Sequence, residues 1–224
     1  MGERETQRET RQAMIDRLAA ELQPVRRLWP VNARLAMWLL LEASLILIAV
    51  VSGARADLPE KIANARFLAE VTLFVIAGVL AAMLALRAAI PGREVTSHEL
   101  ELVMLISGVA ILFVFSEPAN QDVALSEFIH AGARCALCIG IFAAIPWTAM
   151  LWAVRRGAPT SSATAGGLIG AAAFFFSLAI TRLGCAIDDR VHFITWHVIP
   201  ALIGIGLSLL AGTAWLRRKK FLLE

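Results

Sequence analysis

Three thiols fall in the second half of this 224-residue chain, Cys135, Cys138 and Cys185, and the last is followed by Asp188, Asp189 and two imidazoles, His192 and His197. Thiolates together with imidazole suit soft or borderline metal ions. Two thiols can instead close a disulfide if their Cα atoms come within about 4.4–6.8 Å. Three cysteines allow at most one such pair. Cys135 and Cys138 spell C-x-x-C, but inside an apolar run and not at the mouth of a turn, so the redox-motif reading is weak. A free cysteine in such a run commonly serves as a small hydrophobe, and a lone histidine on an apolar stretch is more often packed than ligating. The chain shows no nucleophile paired with a base, no phosphate loop, no paired zinc-type C-x-x-C motifs and no nucleic-acid module.

What must position these groups is set by composition. The chain is 58% hydrophobic and 17% charged, with a mean hydropathy of +0.70. A soluble domain has about 45–50% apolar and about 25% charged residues. A soluble globular domain, a disordered regulator and a disulfide-rich miniprotein are excluded, and an all-α polytopic membrane protein is expected. Crossing about 30 Å of hydrocarbon takes roughly 20 apolar residues as helix, and six stretches qualify: 35–53, 67–90, 100–116, 132–154, 163–184 and 193–216. Residues 1–34 and 217–224 are then a leading segment and a tail outside the bilayer. No cleavable signal peptide is expected, because the first apolar run follows about thirty charged or mixed residues.

Six spans place both termini on one side. Of the 21 Lys and Arg, 15 lie in the leading segment, the second and fourth loops and the tail, whereas the other loops carry Glu117, Asp122, Glu127, Asp188 and Asp189. The basic side is expected to be cytoplasmic. Cys135, near the start of the fourth span, and Cys185, at the end of the fifth, then lie at similar depth near the outer face. Gly166 and Gly170, and Ser208 and Gly212, give small-x-x-x-small faces to the fifth and sixth spans, which suits close helix packing. Glu42 is the deepest intramembrane charge and calls for a polar partner, while Glu70, Arg134 and Arg182 lie near enough to span ends to reach headgroups.

In the leading segment, Met14, Ile15, Leu18, Leu22 and Val25 recur at helical spacing, predicting an amphipathic helix over 9–25 that Pro24 limits near its end. A narrow apolar stripe on a helix of mixed charge suits a groove on a protein partner.

Several strings carry a resemblance. Leu22-Gln23-Pro24-Val25-Arg26-Arg27 precedes the first span and Asn64-Ala65-Arg66-Phe67-Leu68 opens the second. Arg155-Arg156-Gly157-Ala158-Pro159 follows the fourth, and Cys185-x-x-Asp188 leads to Trp196-His197. In this order, over six spans, the chain resembles the NrsF family of integral-membrane anti-sigma factors. The resemblance implies a regulator and not a catalyst. It would hold an extracytoplasmic-function RNA polymerase sigma factor at the inner membrane, without binding DNA itself, and release it under heavy-metal or oxidative stress. It implies that Cys135 and Cys185 sense the stress, with His192, His197, Asp188 and Cys138 as further candidate contacts, and that the stripe from Met14 to Val25 belongs to the sigma-binding surface. Cys138 does not match the family pattern. No resident cofactor is expected, only a metal ion as a transient signal. The rival readings are a thiol oxidoreductase, for which a second relay pair of thiols is missing, and a small transporter, for which no related halves are visible.

Overall fold

The structure, a computed structural model, describes residues 2–20, 28–119 and 124–216, and these residues form helices without any strand. In chain order they are α1 (Gly2–Ala20), α2 (Val31–Gly53), α3 (Leu58–Ala63), α4 (Ala65–Ala88), α5 (Ser97–Phe115), α6 (Leu125–Arg155) and α7 (Ser162–Gly184). The one-turn α8 (Arg190–Phe193) then passes through a π-helical turn, Ile194–Val198, into α9 (Ile199–Trp215). Six stretches are long and apolar enough to span a bilayer, namely α2, α4, α5, α6, α7 and the continuous Arg190–Trp215. All six expected spans are present, the fourth starting at Leu125 and not at Gly132.

Local chemistry fixes the ends. The Asn64 side chain accepts from the amides of Arg66 and Phe67 to start α4, and Thr96 and Glu99 form a capping box that starts α5. Asp189 accepts from the amide of His192 at 2.7 Å and begins the turn that leads to α9. At the opposite end of the bundle, the Arg34 guanidinium donates to the carbonyls of Leu86 (3.2 Å) and Ala153 (3.5 Å), capping the last turns of α4 and α6. A cation is favoured there because the unpaired carbonyls carry partial negative charge.

Helix α7 is the axis of the fold. In its most apolar window 78% of residues are buried, against 17–44% in the other five spans, and it packs against α2, α4, α6 and α9. It can do so because one face is nearly all glycine and alanine. A Cβ on Gly166 would lie 2.7 Å from the Cα of Gly212, and one on Gly170 would lie 2.6 Å from the Cβ of Ser208. The two small-residue faces therefore meet each other, and backbone contact holds α7 to α9. Ser208 Oγ donates to the Gly166 carbonyl at 2.6 Å and accepts from Trp147 Nε1 of α6 at 2.7 Å, tying three helices at one point. Leu40, Leu47, Met104, Leu112, Leu137, Ile141, Leu202 and Leu207 point outward, as lipid requires.

Three expectations are corrected. Glu42 is fully buried, yet neither carboxyl oxygen has a hydrogen-bond partner among the described residues, so the expected pairing with a neighbouring helix is not made. Glu70 and Arg182 do not reach for headgroups. Both are buried and bind each other, because α4 and α7 lie side by side and bring their opposite charges to one depth. The leading helix starts at Gly2, not at residue 9, and every side chain described from Thr6 to Ala20 is exposed, including Met14, Ile15 and Leu18. Thr6 and Thr10 donate back to the carbonyls four residues earlier, and Gln12 donates to Asp16. Leu22 and Val25 lie outside the described residues.

Candidate functional site

The end of α7, the first half of α6 and the π turn converge on a cluster of two thiols and two imidazoles. Cys135 Sγ lies 3.8 Å from Cys185 Sγ, and Cys185 Sγ lies 3.6 Å from His192 Nε2. The ligand-type atoms of Cys135, Cys185, His192 and His197 all fall within 4.8 Å of one another. Both cysteines are free thiols and half-buried, and both histidines are buried. The hydrogen bond from Cys135 holds the Cys185 thiol below its ordinary range, against the opposing effect of burial, and His192 and His197 add to the lowering. A lowered thiol favours the thiolate, the form that binds metal ions and reacts with oxidants.

Aromatic rings close the cluster off. Phe193 stacks on His197 with ring centroids 4.6 Å apart, and Phe128 meets His192 edge-on at 6.1 Å and Trp196 at 5.8 Å. Gly132, one turn before Cys135, is what lets α6 approach: a Cβ there would lie 2.2 Å from the Trp196 ring. The π turn follows from Pro200. Proline lacks an amide proton and its ring crowds the carbonyl four residues back, and here the amide of Ile199 bonds the carbonyl of Ile194, five residues back.

Directly beside this cluster is an ion network that the sequence reading missed. Arg182 Nε donates to Glu70 at 2.9 Å, its Nη1 to Asp188 at 2.7 Å and its Nη2 to Glu117 at 3.1 Å. Asp188 also receives Arg55 and Lys61, each at 2.6 Å, while Arg55 reaches Asp57 at 2.6 Å and Arg66 pairs with Glu117. Four cations face four carboxylates. Burial pushes the Asp188 carboxyl up, but hydrogen bonds from Arg55, Lys61 and Arg182 outweigh it and hold the group well below the usual carboxylate range. Arg55 in turn donates to the Cys185 carbonyl at 3.0 Å, and its own amide donates to the Leu183 carbonyl at 3.1 Å. The network therefore holds the loop that carries Cys185. Opposite charges at similar depth on two apolar spans were the signal that could have revealed it.

Of the candidate contacts, His192 and His197 join the thiols, whereas Asp188 turns its carboxylate to the cations. Cys138 is exposed on α6 and stands outside the cluster. Met14, Ile15 and Leu18 form an exposed stripe on α1, far along the chain from the thiols.

Comparison with known proteins agrees with the architecture. The family described as "NrsF: Negative regulator of sigma F" matches residues 18–217, nearly the whole chain and all six spans. No curated protein and no solved structure matches. A six-span helical bundle matched along this length belongs to the NrsF family: the chain is a membrane-embedded negative regulator of a sigma factor.

Proposed function

We propose that this protein holds an extracytoplasmic-function sigma factor at the bacterial inner membrane and releases it when Cys135 and Cys185 meet a metal ion or an oxidant from outside the cell. The observation that carries the reading is the 3.8 Å approach of these two sulfurs from different helices, one of them at the end of the central helix α7. A metal ion would bridge the sulfurs, while an oxidant removing two electrons and two protons would join them as a disulfide. Either event would tie α6 to the end of α7, and α7 touches α2, α4 and α9 as well. A signal shifts a population only if it binds two states differently; a disulfide would draw the sulfurs closer across this seam, and a metal ion would favour the state in which they lie 3.8 Å apart.

Orientation is supported by charge. Four of the six cations at the thiol end, Arg55, Lys61, Arg66 and Arg182, are neutralised locally by carboxylates. Of the 21 Lys and Arg, 15 lie in the leading segment, the second and fourth loops and the tail, which favours cytoplasmic termini. There the exposed stripe of Met14, Ile15 and Leu18, continued in sequence by Leu22 and Val25, is suited to dock on the sigma factor. The same architecture gives no support to an enzymatic role. The test is co-expression with the cognate sigma factor. Release under cadmium or peroxide stress is expected from the native chain, and loss of that release from the Cys135→Ser, Cys185→Ser variant. Undiminished release from the variant would remove the thiols from the mechanism.

A further inference from the structure

The two sulfurs alone do not explain His197. Its ring is fully buried, and among the described residues neither Nδ1 nor Nε2 makes a well-aligned hydrogen bond, although the ring faces the Cys185 thiol. A buried imidazole without such a bond is rare, because a desolvated polar group with no compensating bond is costly. The backbone around it is unusual too. In a regular α-helix of 3.6 residues per turn, residues five apart point about 140° away from each other. His192 and His197 are five apart, and the intervening π turn instead brings their ring centroids to 5.5 Å. Single π turns inside helices are frequent at functional sites.

Two of the six ligand–ligand distances match one coordination geometry, and all six fall within 4.8 Å. Zinc–sulfur bonds of about 2.3 Å and zinc–nitrogen bonds of about 2.0–2.1 Å at tetrahedral angles give sulfur–sulfur edges of about 3.8 Å and sulfur–nitrogen edges of about 3.6 Å. The observed edges are 3.8 Å between the sulfurs and 3.6 Å from Cys185 Sγ to His192 Nε2. The charge also balances. A divalent cation with two thiolates and two neutral imidazoles has no net charge, which suits a site walled by Phe128, Phe193 and Trp196. Nearby Asp188 is taken by Arg55, Lys61 and Arg182, so it does not compete for the ion.

We propose that Cys135, Cys185, His192 and His197 form a single four-coordinate site for a soft or borderline divalent cation of the zinc and cadmium class. The proposal deepens the sensing role of the two cysteines and rests on that reading for its regulatory consequence. Binding releases the two thiol protons to solvent and forms two metal–sulfur and two metal–nitrogen bonds. Because the ligands come from α6, the end of α7 and the stretch leading into α9, occupancy clamps three elements together, and the histidines make the start of α9 part of the switch.

The test uses the full-length chain, purified in mild detergent under reductant and titrated with zinc or cobalt. X-ray absorption on the zinc-loaded native protein is expected to give a shell of two sulfurs and two imidazole nitrogens at one ion per chain, and cobalt is expected to give the intense visible bands of a tetrahedral thiolate site. His192→Gln and His197→Gln should each weaken zinc binding by more than the loss of an outer-shell partner does, which is about 10–100-fold. A shell of two sulfurs completed by oxygen, or histidine variants that bind as tightly as the native chain, would overturn the four-ligand site. The native spectra need no variant to fold. A sulfur–nitrogen shell in a protein that keeps its sigma factor under metal would sustain the site and overturn the release reading instead.

Discussion

Arg182 offers the sharpest test of how this bundle tolerates charge. Replacing it by Met removes three ionic contacts at once, to Glu70, Asp188 and Glu117. Two of those carboxylates keep other cations: Asp188 retains Arg55 and Lys61, and Glu117 retains Arg66. Glu70 does not. It is fully buried, and among the described residues its hydrogen bonds come from Arg182. The cost should therefore be that of stranding one buried carboxylate, about 3–5 kcal/mol. That is a large part of the about 5–15 kcal/mol that holds a typical protein folded. Glu70→Leu in the Arg182→Met background removes the stranded charge, so the double variant should recover most of the loss. The assay is equilibrium denaturation in detergent micelles followed by fluorescence of the six tryptophans. An unchanged midpoint for Arg182→Met would refute the reasoning. A double variant no more stable than the single one would refute it as well, by showing that Glu70 was not the stranded group.

Four further outcomes are expected. Glu42→Met should stabilise the fold by about 1–3 kcal/mol in the same assay, since the carboxyl it removes has no partner among the described residues; a lowered midpoint would reveal a bond that Glu42 makes. Gly170→Val should cost about 1–3 kcal/mol or more by wedging α7 from Ser208 and Ile205 of α9, read as a lower melting temperature, whereas Gly206→Ala, which has open space at its Cβ, should be nearly neutral. Asp188 is depressed in the folded state, so its contribution is present above the ordinary aspartate pKa of about 3.9 and is lost as the pH falls through the lower folded value. Native protein should therefore destabilise in acid more steeply than Asp188→Asn, and parallel acid limbs would contradict this. Leu18→Asp should abolish capture of the sigma factor in a pull-down while leaving the melting temperature unchanged, because the Leu18 side chain is exposed on α1.

Much of the architecture was written in one dimension. Span number, the loops between spans and the charge asymmetry follow from hydropathy and from counting Lys and Arg, because a bilayer admits only segments that satisfy their own backbone. The small faces at Gly166, Gly170, Ser208 and Gly212 were equally readable, since only such residues let backbones touch. Cys135 and Cys185 could be matched by depth along their helices. Rotation about the helix axes could not be read in the same way, and it decided the rest. It turned Cys138 outward while Cys135 faced Cys185, and it left Glu42 without a hydrogen bond among the described residues. It also set Glu70 against Arg182 in the interior and away from the headgroups. The convergence of His192 with His197 needed a π turn, a backbone irregularity that hydropathy does not record. A sequence specifies how deep each residue lies in the membrane; which residues face one another depends on how six helices rotate to pack, and that is settled only when all of them are in place.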